Sequence, residues 1–175
     1  MKSKIAFFDY FWNIIIGCKE HCNYCIAKKH ITDNIVINKG LLNIYDDYEN
    51  MNIFVNPYSE PYYWNSDQFQ CVYESIKNNT KNNYWLFTKY PNIFDNIIIP
   101  KNFKITYSIT CNSDIKKIYN RLNKNTWISF SPILENIDIT YILNNNIEDI
   151  FLCKRDYNKY NYNEIKQSFN NVIEV

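Results

Sequence analysis

Six short runs rich in β-branched and aromatic residues recur along the chain, each followed by a longer polar stretch. They are Phe11 to Ile16, Asn52 to Asn56, Tyr84 to Thr88, Phe103 to Ile109, Trp127 to Phe130 and Asp149 to Cys153. Strands separated by stretches of helical length are the pattern of successive βα units. Ser66 or Asp67 is expected to cap a helix running through Ile76, and Pro91 is placed to open the next one. Further helices are expected from Ser113 to Leu122, from Asp138 to Leu143 and, closing the chain, from Tyr162 to Val172. Six such repeats predict an α/β fold: a (β/α)6 partial barrel with parallel strands. Right-handed crossovers put its helices outside and its functional loops at the carboxyl ends of the strands. A chain of 175 residues with no composition break reads as one domain over 1–175.

Composition narrows the class. No stretch of roughly eighteen uncharged apolar residues is present, so no membrane partner is expected. Lys2 and Lys4 precede apolar residues, but Asp9 and Asn13 interrupt the run, so it does not read as a secretory leader and a cytoplasmic location is expected. A formal net charge of +1 gives no electrostatic basis for tight nonspecific nucleic-acid binding.

Three of the six cysteines stand together in Gly17-Cys18-Lys19-Glu20-His21-Cys22-Asn23-Tyr24-Cys25, a C-x3-C-x2-C spacing. Three thiolates so close can hold three corners of a cubic iron–sulfur cluster and leave the fourth iron open to another ligand. A structural zinc site usually shows two separated ligand pairs, and His21 between two cysteines is cramped as a fourth ligand. Six cysteines are sparse for a disulfide framework in a chain of this length.

The triad, with an aromatic residue before its last cysteine, resembles the signature of the radical S-adenosylmethionine (SAM) superfamily. The resemblance implies a [4Fe–4S] cluster on Cys18, Cys22 and Cys25 whose open iron is chelated by SAM, an electron donor such as flavodoxin or ferredoxin, and reductive cleavage of SAM to a 5′-deoxyadenosyl radical. The superfamily core is a (β/α)6 partial barrel, in agreement with the strand count. Ser59-Glu60-Pro61 resembles part of the G-G-E-P loop that binds the SAM amino group, with serine for glycine and the preceding glycine missing.

Leu86-Phe87-Thr88-Lys89-Tyr90-Pro91, Ser108-Ile109-Thr110 and Ser129-Phe130-Ser131-Pro132 are similar, in order, to segments of the spore photoproduct lyase-like and phage-type branches. So is Cys22-Asn23-Tyr24-Cys25-Ile26-Ala27-Lys28. Phage-type relatives usually carry a longer insert between the first two cysteines and an acidic residue where this chain has Ser131. The likeness implies cofactor contacts from Tyr24, Ser59, Glu60, Thr88, Lys89, Ser108, Thr110, Ser129 and Ser131. It points to a nucleotide or nucleic-acid base as substrate.

Cys111 and Cys153 fall at predicted carboxyl strand ends, where a thiol can donate hydrogen to a substrate radical, and Lys154-Arg155 beside Cys153 suits an anion. Cys71 is expected to be a core thiol. Two other readings stay open: a glycyl-radical activase acting on a protein partner, and a non-catalytic iron–sulfur or zinc module.

Overall fold

In the computed structural model, which describes residues 2–3, 5–25, 27–28, 32–123, 125–147 and 149–175, the chain is mixed α/β. It divides into two compact units, residues 1–86 with 96–104 and residues 87–95 with 105–175.

The first unit carries strands β1 (Tyr10–Trp12), β2 (Ile15–Ile16), β3 (Val36–Ile37) and β4 (Asn52–Val55), and the first four residues of β5 (Asn83–Thr88). β1 pairs parallel with β4, Phe11 opposite Phe54, and β4 pairs parallel with β5, Val55 opposite Leu86. Trp12, Ile53, Val55, Ile76 and Leu86 are almost wholly buried. The Trp12 indole still meets its hydrogen-bonding need by donating to the Leu41 carbonyl at 2.7 Å. Helix α1 (Ser66–Asn78) lays Val72 and Ile76 into this core. Asn65 caps it: its side chain accepts from the Gln68 amide while the Gln68 side chain accepts from the Asn65 amide.

The second unit holds most of β6 (Phe103–Ile109), then β7 (Trp127–Phe130), β8 (Asp149–Leu152) and β9 (Asn171–Glu174), paired parallel in chain order. Between them lie α2 (Asn112–Ile118), α3 (Thr140–Leu143) and α4 (Tyr162–Ser168). Ile109, Phe130, Ile150 and Leu152 leave the strands on one face and pack with Ile115, Ile118, Ile142 and Ile165 from the helices. Side chains alternate along a strand. Ser108, Ser129 and Phe151, which stand in register across β6, β7 and β8, therefore occupy the other face.

The parallel α/β prediction holds, with four corrections to the expected elements. Strand one stops at Trp12, and Ile15–Ile16 instead pairs antiparallel with Val36–Ile37, because the Asn56 side chain takes the Ile15 amide and turns the chain. The closing helix stops at Ser168, and Val172 and Ile173 belong to a seventh parallel strand, as β-branched residues favour. The helix cap is Asn65 rather than Ser66 or Asp67. Pro91 opens only a 3-10 turn, Pro91–Phe94, so the chain between β5 and β6 forms no α-helix. No helix among the described residues is long and apolar enough to cross a membrane.

Asp114 joins the carboxyl end of β6 to α2. It is 5 % exposed and accepts from the Thr110 amide at 2.9 Å, the Thr110 hydroxyl at 2.8 Å and the Lys117 ammonium at 2.7 Å. Burial pushes its carboxyl upward, but Lys117 and Thr110 together outweigh that and hold it below its ordinary value. A lowered folded pKa means stability that is fully present above the ordinary value, about 4, and lost as pH falls through the lower folded one. Asp114→Asn should cost about 1–3 kcal/mol at neutral pH and flatten the decline below about pH 4, as urea titrations across that range will measure.

Candidate functional site

The cysteine loop leaves β2 through Gly17, whose φ of +103° is a left-handed conformation open chiefly to glycine. A methyl group there would also meet the Asn34 carbonyl carbon at 2.9 Å and the Ile35 Cα at 3.0 Å, both backbone atoms. Cys18 then donates its amide to the Thr32 carbonyl at 2.9 Å. Cys22 to Cys25 form a turn, closed by the Cys25 amide on the Cys22 carbonyl at 3.1 Å. Ile26, part of the extended motif, lies outside the described residues. The Nε2 of His21 pairs with the exposed Asp33 carboxylate at 2.7 Å.

The loop after β4 is bonded onto the cysteine loop. Asn56 holds φ at +47°, donates its amide to the Trp12 carbonyl and accepts the Ile15 amide on Oδ1 at 2.9 Å. Three residues on, the buried Ser59 hydroxyl donates to the Gly17 carbonyl at 2.6 Å and accepts the Trp64 indole N–H at 2.8 Å. Glu60 follows directly, and its backbone amide, like that of Glu20, is directed at the Cys18 sulfur. Burial raises the Cys18 thiol above its ordinary pKa. The two amides oppose that rise, while the Glu60 carboxylate and Cys22 add to it. Glu20 in turn accepts the Tyr63 hydroxyl at 2.8 Å.

Of the predicted residues in this unit, Cys18, Cys22, Ser59 and Glu60 are thus brought together, and Tyr24 lies half-buried on the same loop. Asn56, Trp64 and Gln68, which fastens the Ile35 carbonyl at 2.9 Å, were missed by sequence reasoning. The visible signals were the Asn-Pro step after β4 and the Asn65-x-x-Gln68 capping box. Buried near the strand exits are two amide atoms without a partner among the described residues, Asn13 Oδ1 and Asn56 Nδ2.

The other predicted residues belong to the second unit. Thr88 accepts the Tyr90 amide on its hydroxyl at 3.0 Å, and Lys89 beside it is half-buried. Ser129 is fully buried, its hydroxyl without a partner among the described residues, directly across from Ser108. Thr110 directs its hydroxyl to Asp114, and Ser131 leads into a cis peptide with Pro132. Cys111 and Cys153 do follow the carboxyl ends of β6 and β8. Cys111 Sγ stands 3.0 Å from the Ser113 hydroxyl, and the Cys153 amide donates to the Phe130 carbonyl.

As a donor set, three unbridged thiols on one loop match a thiolate-held cluster. Among the described residues, no group of three or more His, Cys, Asp or Glu side chains is arranged to hold a metal ion. The fit therefore lies in donor chemistry and loop position. The chain matches no family model, no curated protein and no solved structure.

Gly17→Ala should cost at least about 1–3 kcal/mol from backbone strain, and it should loosen the cysteine loop. At Gly40, the only other glycine, φ is not left-handed and a methyl group would press only on the Asn38 side-chain oxygen at 3.3 Å, an exposed side chain that can shift by a few tenths of an ångström, so Gly40→Ala should cost clearly less than Gly17→Ala. Denaturant midpoints of the two variants check the contrast.

Proposed function

We propose that this protein is a radical SAM enzyme, with Cys18, Cys22 and Cys25 as ligands of a [4Fe–4S] cluster and Glu60 as the carboxylate that accepts hydrogen bonds from the SAM amino group. The observation that supports this reading is the approach of Glu60 to Cys18: residues 42 apart in sequence meet because Ser59 is bonded to the carbonyl just before the first cysteine. A carboxylate beside the first of three thiols on one loop offers both kinds of contact that an amino-acid chelate needs. When bound, cluster and SAM supply one-electron cleavage and hydrogen abstraction, fed by a donor such as flavodoxin or ferredoxin. The chain's own work is to ligate, to orient the SAM amino group through Glu60, and to shield the site with the buried Ser59–Trp64 pair. In this reading the parallel strands build a partial barrel, and the substrate is a nucleotide or nucleic-acid base.

Anaerobic reconstitution should load about four irons, and the reduced EPR spectrum should change when SAM is added. Cys22→Ala should abolish the cluster and Cys71→Ala should keep it. A folded protein that takes up zinc alone and ignores SAM would refute the assignment. Glu60→Gln should retain the iron yet weaken SAM binding by about 1–3 kcal/mol, the range for a hydrogen bond to a charged group, read by calorimetry on the reconstituted protein.

A further inference from the structure

The loop from β8 to α4, residues 153–161, carries Lys154, Arg155, Tyr157, Lys159 and Tyr160, all exposed. Tyr157 and Tyr160 leave 60 % and 57 % of their surfaces to solvent, unusual for large rings that ordinarily bury. The loop is nonetheless built rather than slack. Asp156, 1 % exposed, pins it from below by accepting the Ile133 amide at 2.9 Å and facing the Lys159 ammonium at 3.6 Å. Four backbone bonds stitch it, from the amides of Asp156, Tyr157, Lys159 and Tyr162. Asn158 and Tyr160 take positive φ, 65° and 44°, a costly conformation for a tyrosine. The Tyr157 ring is braced against Tyr162 in a perpendicular pair with centroids 5.7 Å apart.

We propose that this loop is a binding surface for single-stranded nucleic acid. Two exposed aromatic rings stand among three cations; the loop's own carboxylate is buried beneath, and Glu174, which faces Lys154, is already engaged by the Tyr162 hydroxyl and the Lys166 ammonium, so the loop combines stacking platforms with phosphate contacts. A duplex hides its base faces, and the loop, whose one helical element is the 3-10 turn Lys154–Asp156, presents no α-helix to enter a groove. An acidic peptide would match the charges but leave the tyrosine faces unused. With a net charge of only +1 on the whole chain, the contact is local and covers few phosphates, so binding is weak and salt-sensitive.

Fluorescence anisotropy of the full chain with a labelled oligothymidylate of about twelve nucleotides tests this surface without cluster or SAM, so its failure leaves the enzymatic assignment standing. Binding should weaken with salt at a log–log slope near −0.7 per phosphate contact, about −2 for three cations. The double variant Lys154→Gln, Arg155→Gln should bring that slope about 1.4 closer to zero. Tyr157→Ala should weaken binding roughly fivefold or more while Tyr157→Phe keeps it. Tyr160→Asn, which tolerates the left-handed backbone, should act like the alanine change and leave the circular dichroism unchanged. Absence of binding at low salt, equal binding of duplex or of polyglutamate, or folded tyrosine variants that bind normally would each overturn the proposal.

Discussion

The Ser59 hydroxyl sits between the Trp64 indole and the Gly17 carbonyl, taking a proton from one partner and giving one to the other at 2.8 and 2.6 Å. A buried carbonyl without a donor costs about 1–3 kcal/mol, so this single oxygen ties the exit of β4 to the exit of β2. The arrangement next to it follows from that tie. Once Ser59 is fixed, Glu60 has its amide at the Cys18 sulfur, and Pro61 carries the chain into the turn that returns Trp64. Glycine is required at position 17 for a related reason: the chain passes so close to Asn34 and Ile35 that even a methyl group has no place. Hydroxyl and glycine together make a rigid seat for the first cysteine.

Asn56 does comparable work one turn earlier. Its side chain replaces the strand partner that the Ile15 amide would otherwise have had, and its positive φ allows the chain to leave β4 toward Ser59. Asparagine is among the few residues that tolerate this conformation. The abundance of asparagine in the sequence conceals that role, since a residue so common carries little local signal.

Strands were legible wherever β-branched and aromatic residues clustered, as in Tyr84 to Thr88 and Phe103 to Ile109, because their packing preference is local. The seventh strand was obscured because Val172 and Ile173 also satisfy the spacing of the helix before them. The break after Trp12 could not be read locally, since its cause, Asn56, lies more than forty residues away. The same limit applied to the site. Cysteine spacing is a local fact and was readable, whereas the Ser59–Gly17 bond is a tertiary one. Thr110 shows the converse: a strand-end hydroxyl that looks available in sequence is already committed to Asp114.

Within each unit every parallel strand pairs with the one before it, but the spans they close differ. β8 and β9 are separated by one short helix and its flanking turns, whereas β1 and β4 enclose roughly forty residues, including all three clustered cysteines. Closure entropy grows by about 0.6 kcal/mol for each doubling of a loop, and the longer excursion has no α-helix among its described residues to shorten it. The amino-terminal pairing is thus the entropically expensive step of assembly. Any ligand that gathered Cys18, Cys22 and Cys25 would act on that step as an internal crosslink does, confining the unfolded chain and so favouring the paired strands.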